Sequence, residues 1–187
     1  MTTQNKKSLA VWPLLHEELV LETPIFSVHR QTCRSPKDNL DKRFYVLKSP
    51  DWAQVLAVTE AGEAVLVRQF RQGSRELSLE LPGGVVEEGQ TPVEAARREL
   101  REETGYTAEK WRRLTTFKPN PAVRANRAHL FLAEGARLTE PTEFDENEDL
   151  ELVTVPLAQL KTMVMDGTID HAIMAAGILY YLNETAV

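Results

Sequence analysis

The sequence is poor in cysteine and lacks long apolar runs. It contains one cysteine, Cys33, in 187 residues, which excludes an intrachain disulfide and a multi-cysteine zinc site and fits a reducing compartment. Its longest apolar stretch, residues 172–182, is shorter than the roughly 20 residues that a transmembrane helix needs. The first residues, MTTQNKKSLAVW, contain no apolar core of a signal peptide. We therefore expect a cytoplasmic protein with no membrane association.

Positive charge is also scarce. The chain has 22 Lys and Arg against 28 Asp and Glu, a formal net charge of −6, which argues against stable nucleic-acid binding driven by bulk charge. A polyanionic ligand would have to be bound locally. A chain of this length buries about 70% of its unfolded surface on folding, so it needs no metal to stay folded, and a bound metal would serve chemistry.

Hydrophobic patterning predicts five strands in the larger part of the chain. They are short apolar or alternating segments, at residues 55–58, 65–70, 77–81, 128–133 and 150–155. The first two flank a turn that contains Gly62, which predicts a hairpin. In the third, strict alternation puts three leucines on one face and Ser78 and Glu80 on the other.

The first fifty residues are also extended in pattern. Segments 18–25, 27–32 and 43–47 have strand character, and together they predict a separate small antiparallel sheet. We therefore expect two regions, a small N-terminal sheet over residues 1–50 and a larger α/β domain over residues 51–187.

One helix has unusually complete end signals. Thr91, Pro92 and Glu94 form an N-cap, a proline at the first helical position and the glutamate of a capping box. Gly105 supplies a left-handed stop, so the helix is expected from Pro92 to Thr104. Further helical patterns cover residues 157–165 and 170–182.

This helix carries three carboxylates on one face. Glu99, Glu102 and Glu103 stand at i, i+3 and i+4, so their side chains project close together. Two counter-charges fit the cluster: the neighbouring arginines, as on an ordinary solvated helix, or a hard divalent cation such as Mg²⁺ or Mn²⁺. The spacing alone leaves both open.

The segment before the helix favours the cation. It runs from a strand into a loop, Glu80-Leu81-Pro82-Gly83-Gly84, and glycines let the backbone approach a bound ion or phosphate closely. Strand, loop and helix together resemble the signature of the Nudix hydrolase family: Gly, five residues, Glu, seven residues, then Arg-Glu-apolar-any-Glu-Glu-any-Gly-apolar. From Gly84 to Tyr106 every fixed position matches except Gln90, which replaces the motif glutamate.

The resemblance implies a fold, a metal site and a reaction. The fold is an α/β/α sandwich with a mixed central sheet. Mg²⁺ or Mn²⁺ would be held by Glu99 and Glu103, with the carbonyl of Gly83 as a backbone ligand. Glu102, nearby, would be a further metal-binding and catalytic residue. The reaction is hydrolysis of a nucleoside diphosphate linked to another moiety. In the family the motif glutamate pairs with the motif arginine, here Arg98, so Gln90 is expected to accept a hydrogen bond from Arg98 and to support the loop less strongly.

Features outside the motif resemble the nucleotide-sugar (ADP-ribose-type) pyrophosphatase branch of the family. They include the fifty-residue leader, which in that branch forms a small sheet and a homodimer interface, and the acidic segment 143–151. The resemblance implies that Glu146 is the general base and that Glu148 contacts a metal. It also implies that Arg71 binds the diphosphate and that Glu80 contacts substrate or belongs to the hydrogen-bond network of the loop.

One segment departs from the ADP-ribose pattern. After Pro121 that branch has a glycine and an acidic step, whereas this chain has two arginines, Arg124 and Arg127. The substrate therefore stays open among ADP-ribose, GDP-mannose and other nucleotide sugars. The competing hypotheses are a dinucleoside polyphosphate or nucleoside triphosphate pyrophosphatase, and a sensor that binds a nucleotide sugar without cleaving it.

Overall fold

The chain folds into two compact units. The computed structural model describes residues 9–144 and 149–185. One unit comprises the chain up to Ser49 together with Asn120–Ala125, and the other comprises Pro50–Pro119 and the chain from Asn126 onward. A short segment from the middle of the chain, Asn120–Ala125, thus belongs to the N-terminal unit. The expected division at residue 50 does not include this segment.

The N-terminal unit is built on the expected antiparallel sheet. Its three strands, in the spatial order β1-β2-β3, are connected consecutively along the chain: β1 (Leu14–Glu22), β2 (Ser27–Arg34) and β3 (Asp41–Lys48). The returning segment Asn120–Ala125 is attached to β3 through Leu47. The Leu47 N–H donates to the Val123 carbonyl at 2.7 Å, and the Ala125 N–H donates to the Leu47 carbonyl at 3.1 Å.

The second unit contains a mixed eight-stranded sheet and the helices. Its strands are β4 (Trp52–Thr59), β5 (Glu63–Arg71), β6 (Glu76–Glu80), β7 (Gly83–Val85), β8 (Tyr106–Thr107), β9 (Lys110–Phe117), β10 (Ala128–Leu138) and β11 (Leu150–Pro156). Its helices are α1 (Pro92–Thr104), α2 (Leu160–Met165) and α3 (Ala172–Thr185). Among the described residues, no helix combines the length and the apolar character that crossing a bilayer requires.

All five strands expected in this unit are confirmed, and three others were missed. Strands β7 and β8 are only a few residues long, and β9 has charged residues where alternation would need apolar ones. Strand β9 is stabilised by its pairing with β10 along almost its full length. Pairing partners that lie far away in sequence therefore determine it, and the local pattern does not reveal it.

The sheet separates two apolar layers, which confirms the α/β/α sandwich. Residues on β4 and β10 alternate between its faces. On one face Val55 and Phe131 pack against Leu100 of α1. On the other face Leu56 and Leu130 pack against α2 and α3, together with apolar residues that include Leu160, Met174 and Ile178.

Strands β4 and β5 diverge beyond their hairpin, and this divergence creates the site. They pair only at residues 57–58 of β4 and 64–65 of β5. Farther along, β4 pairs with β7 and β5 pairs with β6. The loop that connects β6 to β7 therefore crosses between the two separated strands, held there by a hydrogen bond from the Val55 N–H to the Pro82 carbonyl at 2.9 Å.

Strand β6 does not follow its simple alternation. The pattern puts Leu77 on the same face as the other two leucines, but Leu77 is 70% exposed, whereas Ser78 and Glu80 on the opposite face are buried. Leu79 and Leu81 do enter the core. Beyond Leu77 the residues of both faces of the strand are buried. Buried Glu80 is paired with Arg71, as a buried charge needs to be.

Helix α1 begins and ends where its sequence signals predict. The Thr91 side chain accepts from the Glu94 N–H and the Glu94 side chain accepts from the Thr91 N–H, which completes the capping box. Gly105 ends the helix with φ of 72°, and its N–H donates to the Arg101 carbonyl at 2.8 Å. The cap also connects to the sheet, because the Gly105 carbonyl accepts from the Glu140 N–H at 3.2 Å.

Two glycines with nearly equal backbone angles test how tightly this helix end is packed. Gly62 and Gly105 have φ of 76° and 72°, but an added Cβ meets nothing within 4 Å at Gly62 and overlaps the Glu140 carbonyl oxygen at Gly105. Gly62→Ala should lower the free energy of unfolding by about 1 kcal/mol, the cost of a left-handed alanine. Gly105→Ala should lower it by a further 1–3 kcal/mol or so, from the overlap. Urea unfolding of both variants measures the difference, and equal losses would contradict the close packing.

Candidate active site

A cavity of about 290 Å³ lies where β4 and β5 diverge. Trp52 and Gln54 of β4, Arg71 of β5 and the whole of β7 line it. His171, just before α3, and Met174 in the first turn of α3 complete the wall. Every one of these residues belongs to the second unit. The cavity therefore combines an aromatic ring, apolar surface, an arginine and the glycine-containing loop.

Two carboxylates of α1 lie against this loop. Glu99 is 7% exposed and Glu103 is 4% exposed. A carboxylate oxygen of Glu103 accepts a hydrogen bond from the Gly83 N–H at 2.8 Å. A Cβ added to Gly84 would overlap the Glu99 carboxylate, so the absence of a side chain at Gly84 gives Glu99 its place. The structure thus places Glu99 and Glu103 against Gly83 and Gly84, and metal binding by these residues stays a prediction.

The third carboxylate, Glu102, lies among arginines. It accepts from Arg98 at 2.8 Å and from Arg101 at 2.7 Å, and about a quarter of its side chain is exposed. Arg98 also approaches Glu99, at 2.8 Å. Of the two counter-charges that the sequence left open, the arginines are seen, beside Glu102 and also beside Glu99. Glu99 and Glu103 lie at the loop as well, where a cation could bind.

Arg98 supports the loop through partners other than Gln90. It donates to the Val85 carbonyl at 3.1 Å and lies 3.5 Å from a carboxylate oxygen of Glu87. Gln90 instead makes long hydrogen bonds to Glu87, at 3.4 Å. The expected direct bond between Gln90 and Arg98 is thus replaced by a chain in which Glu87 contacts both, and a negative charge beside Arg98 is retained.

Arg71 and Glu80 form a paired charge at the wall of the cavity. Arg71 donates two hydrogen bonds to the Glu80 carboxylate, one from Nε at 2.7 Å and one from Nη2. Glu80 is fully buried, and 44% of the Arg71 side chain is exposed. Burial raises the pKa of Glu80, but the hydrogen bonds and charge of Arg71 outweigh it, so this pKa lies below its ordinary value. Glu80 therefore stays ionised and orients Arg71, and a direct contact of Glu80 with substrate stays a prediction.

The donor set fits a hard divalent cation. Mg²⁺ and Mn²⁺ prefer oxygen ligands, and the carboxylates of Glu99 and Glu103 lie beside a backbone turn that no side chain shields. Within residues 9–144 and 149–185, no group of three His, Cys, Asp or Glu side chains is arranged to hold an ion. Two carboxylates would have to be supplemented by a backbone oxygen such as that of Gly83 or by water, which Mg²⁺ commonly retains.

The strand, loop and helix that carry this site match a known protein family. The NUDIX domain family matches residues 50–174. The chain belongs to the Nudix family. Its members include enzymes that hydrolyse phosphoanhydrides, and this Nudix protein is a hydrolase of the same kind.

Relatives of this Nudix protein extend over nearly its whole length. An ADP-ribose pyrophosphatase of Bacillus subtilis (strain 168) is 35% identical over 179 residues, which cover 92% of this chain and 96% of the relative. A methanol dehydrogenase activator of Bacillus methanolicus is 32% identical over 153 residues, which cover 81% and 82%. A crystal structure of an ADP compounds hydrolase has a TM-score of 0.83, with 22% identity and 95% of each chain covered. That structural likeness supports the fold.

The acidic segment of the Nudix protein begins next to α1. The Glu143 N–H donates to the Glu102 carbonyl at 2.8 Å, and its carboxylate pairs with Arg101 at 2.9 Å. Glu146 and Glu148, for which a base and a metal contact are expected, lie outside the described residues. The described residue Glu143, shortly before these two, is thus attached to the helix of the motif.

Sequence reasoning missed two residues that line the cavity, Gln54 and His171. Gln54 interrupts the apolar run of β4 and is 5% exposed. A polar side chain inside an otherwise buried strand is a signal that could have identified it. His171 directly precedes α3, and its relation to the site depends on the packing of α3 against the sheet, which the local sequence does not specify.

The Arg71–Glu80 pair should make stability depend on pH. Because the pKa of Glu80 is lowered in the folded state, the pair stabilises the protein above the unfolded pKa of about 4.3 and loses this contribution as pH falls toward the folded pKa. At pH 7, Glu80→Gln should lower the free energy of unfolding by about 1–3 kcal/mol, since Arg71 is half exposed and keeps part of its hydration. The difference from wild type should shrink below about pH 4, as measured by urea unfolding.

A matched control is Glu109→Gln. Glu109 also pairs with an arginine, Arg137, at 3.2 Å, but 86% of its side chain is exposed. Its removal should change the free energy of unfolding by less than about 1 kcal/mol at either pH. A Glu80→Gln effect that is as small as this, or that grows at acidic pH, would contradict the assigned pair.

Proposed function

We propose that this protein hydrolyses the pyrophosphate bond of nucleoside diphosphate sugars, with Mg²⁺ or Mn²⁺ as cofactor, to a nucleoside monophosphate and a sugar phosphate. The observation that carries the proposal is the position of Glu99 and Glu103 at the loop beside the cavity that Arg71 lines. The near full-length similarity to an ADP-ribose pyrophosphatase supports it.

The metal would be held by Glu99, Glu103 and the Gly83 carbonyl, with Glu102 nearby and Glu148 as a further ligand. When bound, such a cation neutralises phosphate charge and lowers the pKa of a bound water. Glu99 and Glu103 are almost fully buried, so solvent screens their charge weakly and a cation is attracted to them, although Arg98 at 2.8 Å offsets part of the charge of Glu99. The backbone hydrogen bond from Gly83 keeps Glu103 oriented before substrate arrives.

Arg71 would bind the diphosphate, and Glu146 would act as general base. A guanidinium presents several donors to phosphate oxygens, and the pairing with buried Glu80 holds Arg71 in one orientation at the cavity wall. For Glu146 the support is its position in the chain. The segment that contains it starts at Glu143, which is bonded to α1 at Glu102 and Arg101, and a carboxylate near the metal suits proton transfer from water.

A substrate panel with product identification tests this function. The protein is incubated with Mg²⁺ and ADP-ribose, GDP-mannose and other nucleotide sugars, and in parallel with a dinucleoside polyphosphate and a nucleoside triphosphate. We expect the highest kcat/KM for a nucleotide sugar, with a nucleoside monophosphate and a sugar phosphate as products. Faster cleavage of the polyphosphates, or tight binding of nucleotide sugars without products, would contradict the proposal.

We also propose that the N-terminal sheet mediates a homodimer. Its first strand exposes leucines that a soluble monomer would bury more fully, Leu15, Leu19 and Leu21, each about half exposed. Tyr45 of β3 is 55% exposed as well. Exposed apolar residues on an edge strand suit a contact with another protein surface, and a second copy of the chain is the partner expected from the branch that the sequence resembles.

Glu103→Gln should abolish most of the activity without unfolding the protein. The glutamine carbonyl can still accept from the Gly83 N–H, so the free energy of unfolding should change by less than about 1 kcal/mol. The loss of one buried negative charge weakens cation binding and the stabilisation of the transition state, so kcat/KM should fall at least about a thousandfold. Steady-state kinetics and urea unfolding on the same samples measure both quantities.

Glu88→Gln is the matched control for that variant. Glu88 is an exposed glutamate in the same loop region. Its replacement by glutamine should leave kcat/KM within about twofold of the wild-type value, since an exposed, well-screened charge contributes little. Calorimetric titration with Mg²⁺ alone should show weaker binding to Glu103→Gln and unchanged binding to Glu88→Gln. Near-native turnover by Glu103→Gln would exclude Glu103 as a metal ligand.

A further inference from the structure

Two buried polar atoms at the cavity have no hydrogen-bond partner among the described residues. They are Oε1 of Gln54 and Nδ1 of His171, and both side chains line the same cavity. Gln54 is 5% exposed, so solvent does not hydrate its side chain freely. Buried polar atoms are nearly always paired in folded proteins, and an unpaired one costs free energy. Because both side chains line one cavity, a ligand bound there lies next to them and can complete their bonding.

The chemistry of these atoms limits what the ligand can be. A carboxamide oxygen only accepts hydrogen bonds, so the group opposite Gln54 must donate. An ionised phosphate oxygen only accepts and does not meet this need. A neutral imidazole nitrogen either donates or accepts, according to its tautomer. A hydroxyl group does both and satisfies either partner.

The two residues come from elements other than the strand that carries Arg71. Gln54 lies on β4, opposite Gly83 in the strand register, and His171 lies at the start of α3. Arg71, on β5, supplies the cationic wall of the same cavity. Trp52 and Met174 provide apolar surface of the kind that packs against the carbon face of a sugar ring. One cavity thus offers a cation for phosphate and neutral polar atoms for hydroxyls.

We infer that Gln54 and His171 determine substrate specificity by hydrogen-bonding the hydroxyl groups of the sugar that is linked to the diphosphate. This inference rests on the proposed function and adds to it the part of the substrate that the cavity recognises. A hydroxyl of the sugar can pair with the Gln54 amide oxygen, whereas an ionised phosphate can only accept from the amide N–H of Gln54 and leaves that oxygen unpaired.

The test compares two substrates that differ only in hydroxyls. ADP-ribose is one, and the ADP ester of tetrahydrofurfuryl alcohol, which keeps the ring and the diphosphate but lacks the sugar hydroxyls, is the other. Wild type should cleave ADP-ribose with a kcat/KM about 10- to 100-fold higher, the range expected when buried polar groups lose their partners. Gln54→Met has nearly the same length and no acceptor. It should lower kcat/KM for ADP-ribose about tenfold and leave the analogue within about twofold.

Two histidine variants distinguish the ring nitrogens. The amide of asparagine reaches about as far as Nδ1, and that of glutamine about as far as Nε2. If Nδ1 contacts a hydroxyl, His171→Asn should retain more of the preference for ADP-ribose than His171→Gln. These variants also keep the inference testable if Gln54→Met does not fold.

A control variant separates recognition from general damage to the core. Asn126 is 3% exposed and also has an unpaired amide oxygen, but it does not line the cavity. Asn126→Leu removes a comparable buried amide, so it should leave the ratio of the two kcat/KM values unchanged even if stability falls. If Gln54→Met lowers kcat/KM equally for both substrates, or for neither, the ratio of the two kcat/KM values stays unchanged and the inference is overturned.

A binding measurement keeps this inference distinct from the proposed hydrolysis. Calorimetric titration with ribose 5-phosphate requires no turnover, and Gln54→Met should bind it about tenfold more weakly than wild type. Cleavage of ADP-ribose with no effect of Gln54→Met on either measurement refutes the hydroxyl contact alone. If wild type cleaves no nucleotide sugar, the proposed function is refuted. If Gln54→Met nevertheless binds ribose 5-phosphate more weakly than wild type does, the hydroxyl contact is supported.

Discussion

The close approach of helix α1 to the loop at Gly83 and Gly84 is the constraint on which the site depends. A Cβ on Gly83 would overlap the backbone of β4, and one on Gly84 would overlap the carboxylate of Glu99. With neither side chain present, β7 pairs with β4 while α1 lies directly over it. The Gly83 N–H can then bond Glu103. Any larger residue would move the helix and its carboxylates away from the loop.

The divergence of β4 and β5 gives the same loop its place and opens the cavity beside it. Because β5 pairs with β6 beyond the hairpin, Arg71 and Glu80 come to face each other across neighbouring strands and form a charge pair at the wall. Arg71 lines the cavity directly, and the buried carboxylates contact the glycine loop that forms part of its wall. The acidic character of the chain is thus partly concentrated where a cation would convert it into a binding site for phosphate.

Local signals predicted the elements whose ends carry their own chemistry. The capping box of α1 and the glycine that ends it are local hydrogen-bond arrangements, so the sequence located both ends of this helix. The strands with apolar runs were found for the same reason. Strand β9 was missed because its stability comes from pairing with β10, and the exposure of Leu77 was missed because alternation does not reveal where a layer of cover ends.

By itself the sequence determined the family, the α/β/α class and the group of carboxylates on one helix face, because motif spacing and helical periodicity are local properties. Only the tertiary structure decided how those charges divide, with Glu102 between Arg98 and Arg101, Glu99 beside both Arg98 and the loop, and Glu103 at the loop. It also decided that Gln54 and His171 meet at one cavity. These are contacts between segments far apart in the chain, and they are set by which faces pack together.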